Sequence, residues 1–356
     1  MELSLYLGKL GKNSIMIDLV HIGDYKTGTS WWQQQVFASH PDIYYLDDPG
    51  THPEIASLMH HLVDSRDLDF DAKMFRDEFS KALDAIDCDS KKKVICREAL
   101  SGTYPNGDHV KRTAERLYSV FGEVKVCIVI REQFSMLNSI YSQYIKIGGT
   151  LSFEDFVYDP IVSPGLIEKL KYHKIINMYA ELFGQNNIFV GLFEDFKSDN
   201  ELFAKRVFEF IGCSDDWRFA AQELIVNPSL RKPGLEIQRF INRFLRNDLN
   251  PSMPILPLDR LAGVFLSGEK KNKLLDSTRG RLIYSKVGRD DDLVLRYAIN
   301  FALTLHVSKL CERIQFGSKL NVPRSIFDCL ISEFVESNLQ LLDKYALPVD
   351  KYGWSL

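Results

Sequence analysis

The 356-residue chain has no run of about 18 apolar residues, so no membrane-spanning helix is expected. It also lacks the basic, apolar and small-residue order of a signal peptide. Lys9, Lys12 and Asp18 interrupt the short apolar stretches at its start. Cysteine is scarce: there are six, none in a CxxC pair, and Cys96 and Cys127 lie inside apolar runs. That argues against a disulfide framework and for free, buried thiols in a reducing compartment. A large excess of one charge is missing too. Lys and Arg number 44 against 48 Asp and Glu, for a net charge of -4. The surface as a whole therefore has no pull toward nucleic acid or an anionic membrane, and a small anion needs a local basic site. The eight histidines show no H-E-x-x-H and no Cys/His ligand spacing, so no metal is expected. His60 and His61 are adjacent and read as surface residues. No G-x-S-x-G, internal repeat or low-complexity segment occurs. The chain reads as soluble and cytoplasmic.

What is present is an ordinary globular balance, 45% hydrophobic and 26% charged. Ile15 to Ile22 predicts a strand that turns at Gly23, and a helix starts near Thr29 and runs through Trp31, Trp32, Val36 and Phe37. Lys93 to Cys96 predicts a second strand, and Asp108 is placed to cap the following helix through Leu117 and Val120. Val124 to Ile130 is short, nearly all apolar and rich in Val and Ile, as in a strand buried on both faces of a parallel sheet. A helix from about Gln133 to Ile147 follows and stops at Gly148-Gly149. Ile188 to Phe193 predicts another strand, followed by a helix from Glu201 to Ile211 that Gly212 stops. Beyond about residue 230 the pattern is helical, in segments such as Leu235 to Leu245 and Ile326 to Tyr345. Pro251, Pro254 and Pro257 mark a loop. The expectation is one α/β domain over 1–356: a core over about 15–230 with a central parallel sheet, and a mainly helical portion over about 231–356 packed on it.

The most informative segment is Gly23-Asp24-Tyr25-Lys26-Thr27-Gly28-Thr29-Ser30-Trp31, between a strand and a helix. A helix start exposes unpaired N–H groups and the positive end of the dipole, so it suits an anion. Gly23 and Gly28 have the spacing of a Walker A loop, G-x-x-x-x-G-K-[ST]. Thr29 stands where the Walker lysine belongs, and the lysine is Lys26 instead. The loop is expected to cradle a phosphate without the usual lysine for β/γ-phosphates, which counts against an ATPase or kinase. The plain alternative is a Gly/Thr-rich turn that caps a helix. The pattern K-[ST]-G-T-[ST]-W resembles the 5'-phosphosulfate loop of sulfotransferases that use 3'-phosphoadenosine-5'-phosphosulfate (PAPS). The resemblance implies a P-loop-NTPase-like three-layer fold. It assigns Lys26 to the bridging oxygen of the donor and Trp31 to the adenine, with the backbone N–H groups of Thr27, Gly28, Thr29, Ser30 and Trp31 expected to hold the 5'-phosphate.

A second segment supports it. The strand ending at Ile130 runs into Arg131, and Ser139 follows eight positions later on the next helix. This resembles the 3'-phosphate signature of the same family, and a forked guanidinium with an added hydroxyl suits phosphate oxygens. Past the strand Lys93 to Cys96 stands Glu98, where cytosolic members carry a histidine and carbohydrate- or tyrosine-modifying members a glutamate. The resemblance implies Glu98 as the base; the plain alternative is pairing with Arg97. Val190 to Phe196 resembles the family strand whose aromatic flanks the adenine, which points to Phe193; the plain alternative is a core phenylalanine. Asn227 to Lys232 resembles a segment of bacterial members, in which Arg231 or Lys232 reaches the 3'-phosphate. The alternative there is a solvated basic turn. Ser337-Asn338 through Leu347 to Tyr352-Gly353 is similar to the C-terminal end of bacterial members.

The expected reaction is transfer of the sulfuryl group of PAPS to an acceptor hydroxyl, releasing PAP, without a metal. A carbohydrate or glycoconjugate acceptor is favoured by Glu98 and the C-terminal match. A small molecule or lipid headgroup stays open. Gly148-Gly149 and Phe153 to Tyr158 line either an acceptor cleft or an ordinary loop. The rivals are a P-loop nucleotide kinase or NTPase and a non-catalytic PAP- or PAPS-binding protein.

Overall fold

The computed structural model describes residues 15–88, 90–214, 230–245, 268–269, 291–314 and 316–356. The chain divides into two compact units, one of Met1–Gln133, Gly165–Ile225 and Asp328–Leu356, the other of Phe134–Pro164 and Val226–Phe327.

The first unit is built on a five-stranded, all-parallel sheet of β1 (Leu19–His21), β2 (Ile43–Tyr45), β3 (Lys92–Cys96), β4 (Lys125–Ile130) and β5 (Ile188–Leu192). Their order is β2-β3-β1-β4-β5. β1 is central, with Val20 opposite Ile95 on one side and opposite Val126 on the other. Successive side chains of a strand point to opposite faces. Leu19, Val94, Cys96, Cys127 and Val129 share one face with Trp32, Phe37, Phe196, Phe203 and Phe208 in one core cluster. Val20, Ile95, Val126, Ile128 and Ile130 point the other way and are as fully buried. Both faces are covered, which is why β4 reads as an unbroken apolar run.

The first face is covered by α1 (Thr29–Trp31), which continues as a π-helical turn, Trp32–Phe37, and by the later α9 (Phe193–Ser198) and α10 (Asn200–Ile211). The π-turn sets Trp32, Val36 and Phe37 together into the core. Phe203 packs between Trp32, Phe196 and Phe189 at ring distances of about 6 Å, and truncating such a residue typically costs about 3–5 kcal/mol. α2 (Pro53–Asp64), α3 (Ala72–Asp84), α4 (Val110–Phe121) and α8 (His173–Phe183) pack on one another, and α8 reaches β4 and β5.

The second unit holds α5 (Gln133–Lys146) from Phe134 onward and α6 (Phe153–Tyr158). Phe156 lies 4.6 Å from Tyr144 and 5.5 Å from Tyr141. Gly149 is required there, since a Cβ would sit 2.2 Å from Tyr144 Cε1. The buried amides of Gln238 and Asn242 on α11 (Lys232–Asn242) donate to the Ile145 carbonyl at 3.2 and 2.8 Å. α12 (Asp291–Glu312) packs on α11, and Lys146 pairs with Glu312 at 2.6 Å. The short α7 (Leu166–Lys169) and the residues of α13 (Arg324–Tyr345) from Asp328 onward belong to the first unit.

Several sequence expectations shift. The first strand is shorter, because Asp18 sits in a bend and its carboxylate accepts the Lys93 N–H at 2.9 Å. Asp108 does not cap α4. The capping position is His109, in a left-handed backbone, while the Asp108 carboxylate accepts from Asn106 at 2.7 Å. α11 starts earlier because Pro233 sits at its first turn, where a missing N–H does no harm. Phe153 to Tyr158 is a helix whose Phe153, Phe156 and Val157 are buried. β2, α2 and α3 are not anticipated from the sequence. All six cysteines are free; Cys88, Cys96, Cys127 and Cys311 are buried, Cys213 is half-buried and Cys329 exposed. His60 is exposed and pairs with Asp64 at 3.7 Å. Among the described residues no helix is long and apolar enough to cross a membrane. Lys9, Lys12, Asn227, Pro228, Ser229 and the three loop prolines lie outside the described residues.

Candidate functional site

Because β3 and β4 flank β1 in parallel, the segments after all three strands leave the same edge of the sheet. In open parallel sheets that edge is where ligands bind. Sheet pairing runs right up to the loop: the Ile22 N–H donates to the Cys127 carbonyl at 3.0 Å and the Arg97 N–H to the His21 carbonyl at 3.1 Å.

The loop after β1 reverses with three left-handed residues, Gly23 at φ 38°, Lys26 at φ 67° and Gly28 at φ 89°. Gly28 is the cap of α1, and a Cβ there would meet the Phe196 ring at 2.7 Å. Lys26 has no such freedom, and the left-handed region costs an L-residue roughly 1–2 kcal/mol. The turn is held by its own hydroxyls. Thr27 Oγ1 donates to the Asp24 carbonyl at 2.5 Å, and the Asp24 N–H donates back to Thr27 Oγ1 at 3.2 Å. Both Thr27 and Thr29 are buried, so their hydroxyls serve the loop and the carboxylate behind it. The N–H groups of Thr29 and Ser30 fall in the first helical turn, where the helix itself supplies no acceptor. The Trp31 N–H is spent on the Gly28 carbonyl at 2.9 Å. The Trp31 ring is half-buried, edge-on to Phe196 at 5.0 Å, and Ser30 is exposed.

Glu98 opens the 3-10 turn Glu98–Ser101 directly after β3. The Thr29 hydroxyl is hydrogen-bonded to its carboxylate. Burial pushes the Glu98 pKa above the ordinary carboxylate value, while that hydrogen bond and the Lys26 ammonium pull it back only in part. Arg97 is not the partner of Glu98. It forms a two-pronged pair with Asp47 at 2.8 and 2.5 Å and also donates to the Ala56 carbonyl.

On the other side of the loop, Arg131 donates to the Lys26 carbonyl at 3.3 Å and lies over the Phe193 ring at 4.9 Å. Phe193 is the first residue of α9 rather than the last of β5. The neighbouring Glu194 accepts the Glu132 N–H at 3.0 Å, and burial raises its pKa. Lys26, Thr27, Gly28, Thr29, Glu98, Arg131 and Phe193 are thus gathered around one loop. Ser139 on α5, Arg231 at the cap of α11 and Lys232 at its start belong to the second unit. Arg231 forms a backbone bridge with Lys319. The second unit also has a cavity of about 310 Å³ lined by Thr150, Leu151, Ser152, Asp155, Arg239 and Arg243.

The sequence does not disclose Asp24 and Lys169 as neighbours. Lys169 Nζ meets Asp24 Oδ1 at 2.8 Å, and both side chains are less than a tenth exposed. No motif marks the pair, since 145 positions separate the two residues. The C-terminal stretch closes on the same unit: Asn338 joins Gln133 at 2.5 Å, and the Tyr352 hydroxyl donates to Asp195. Among the described residues no group of three or more His, Cys, Asp or Glu side chains is placed to hold a metal ion.

No protein-family model and no curated protein matches the chain. It is similar to a solved structure. That structure is a sulfotransferase from Alicyclobacillus acidocaldarius, with 19% identity, a TM-score of 0.44, and coverage of 59% of this chain and 87% of that one.

Proposed function

We propose that the protein is a sulfotransferase that takes PAPS as donor and an acceptor hydroxyl, best fitted by a carbohydrate, as nucleophile. The single observation that carries the reading is the gathering of Lys26, Glu98 and Arg131 around one left-handed turn at the ligand edge of a parallel sheet. The donor set suits an anion with phosphate at both ends: first-turn N–H groups and Lys26 at one side, the Arg131 fork at the other. In this reading the acceptor oxygen attacks sulfur in line and its proton passes to the Glu98 carboxylate. The bond from sulfur to the bridging oxygen breaks, and PAP leaves with that electron pair, which the Lys26 ammonium stabilises. Trp31 and Phe193 flank the adenine. Ser139, Arg231 and Lys232 are assigned to the 3'-phosphate by the sequence resemblance alone. The two units then serve one sulfotransferase domain. Six free thiols fit a reducing compartment. A small molecule or lipid headgroup is the alternative acceptor.

The test is calorimetric titration with PAP in the absence of metal, with Mg-ATP as control. PAP is expected to bind the wild type, and Arg131→Ala to weaken it about 10- to 100-fold, as loss of a charged hydrogen-bond donor does. Binding of Mg-ATP but not PAP would sink the reading.

A further inference from the structure

Two donors converge on one carboxylate oxygen behind the loop. Asp24 Oδ1 accepts from Lys169 Nζ and from the Tyr25 N–H, both at 2.8 Å, and Ser101 Oγ, which donates to the Glu98 carbonyl at 2.8 Å, lies 3.4 Å from it. The ammonium comes from α7, the N–H from the loop itself and the hydroxyl from the turn that carries Glu98. The lysine is seated as deliberately as the carboxylate. Its ammonium lies 5.2 Å from the Tyr25 ring centre. Gly107 leaves room for its stem, since a Cβ there would sit 2.9 Å from Lys169 Cδ. Gly107 is itself pressed against Gly102, where a Cβ would come 2.4 Å from the Gly107 carbonyl oxygen.

A buried ion pair is a poor device for stability, because desolvating two charges consumes most of their attraction. What it supplies here is position. Tyr25 is tied to Asp24 on one side and is followed at once by Lys26, the non-glycine residue of the loop with a left-handed backbone. We propose that Asp24 and Lys169 are a positioning pair, which holds Lys26 in that backbone and balances the charge around Glu98. The inference rests on the roles proposed above for Lys26 and Glu98. The charged and titratable groups near Glu98 are Lys26, Asp24 and Tyr25 from the loop, Lys169 from α7, and Arg97 and Cys96 from the end of β3. Lys169 favours the Glu98 carboxylate and Asp24 opposes it, so removing them must act in opposite directions.

The experiment is an infrared titration of the Glu98 carboxyl, its band identified by loss in Glu98→Gln, for which no ligand is needed. Lys169→Met is expected to raise the midpoint by about one pH unit and Asp24→Asn to lower it by about as much. The double variant should return near wild type, and Lys169→Arg should stay there. A purely structural role would move both single variants the same way or neither, and either result overturns the proposal. If Lys169→Met does not fold, Asp24→Asn decides alone: a midpoint unmoved or raised is fatal. Failure of the wild type to bind PAP would refute the sulfotransferase reading, while the Glu98 midpoints would still stand or fall by themselves.

Discussion

The two flanks of the loop after β1 handle charge differently. On the β3 flank, Glu98, Asp24, Lys26 and Lys169 lie close together, and opposite charges offset one another through direct contacts and short-range attraction. On the β4 flank, Arg131 has an aromatic face beneath it and a carbonyl in front, and the nearby Glu194 turns one oxygen to the backbone N–H of Glu132. The first arrangement suits a proton transfer, because the ionisation of its carboxylate is set by neighbours of both signs. The second suits holding an anion, because a forked guanidinium seated over a ring and beside the loop carbonyl matches phosphate oxygens. One sheet edge can serve both purposes because β1 lies between β3 and β4 and carries the loop to each.

The comparison breaks most visibly at Glu98. Glu98→Gln is expected to lower turnover about 100- to 10,000-fold, the usual range for a lost general base, and to leave PAP affinity nearly unchanged. In the proposed reaction Glu98 takes a proton only when ionised. Its raised pKa therefore moves the acid limb of the pH–rate profile above the ordinary carboxylate range, and steady-state rates across pH in both proteins check this. A variant with normal turnover would remove the distinction between the flanks.

The floor of the β3 flank gives the next largest effect. His21 is fully buried, with Nδ1 at 3.2 Å from Cys96 Sγ, and burial lowers its pKa to about 4. An unfolded histidine titrates near 6.5, so between those values the unfolded chain binds more protons and stability rises with pH. The contribution is complete above 6.5 and is lost as pH falls, by about 3 kcal/mol at pH 4. Denaturant unfolding across that window should show the slope in the wild type and a flatter one in His21→Leu. Equal slopes would mean that another group controls acid stability.

The smallest effect sharpens the β4 flank. Phe193→Leu removes the ring under Arg131 and is expected to weaken PAP only severalfold, about 0.5–1 kcal/mol, without altering the pH–rate limb. A shift of that limb would show that the flanks are not separate.

The sequence by itself determined the parts whose signal is local. Periodicity and composition placed β3, β4, β5 and the helices α4, α5, α10, α11 and α13 within a few residues, and a strand buried on both faces is legible because it must be apolar throughout. Loop chemistry singled out Lys26, Gly28 and Arg131, which the structure brings to one turn. The tertiary structure decided everything that depends on residues far apart in the chain. It gave Arg97 to Asp47 and left Glu98 to Thr29. It spent the Trp31 N–H inside the loop and put Arg131 on the Lys26 carbonyl. It also brought Lys169 to Asp24. No periodicity records such pairings. They follow from strand order, which sets which loops share an edge, and from burial, which obliges each charge brought there to find a partner.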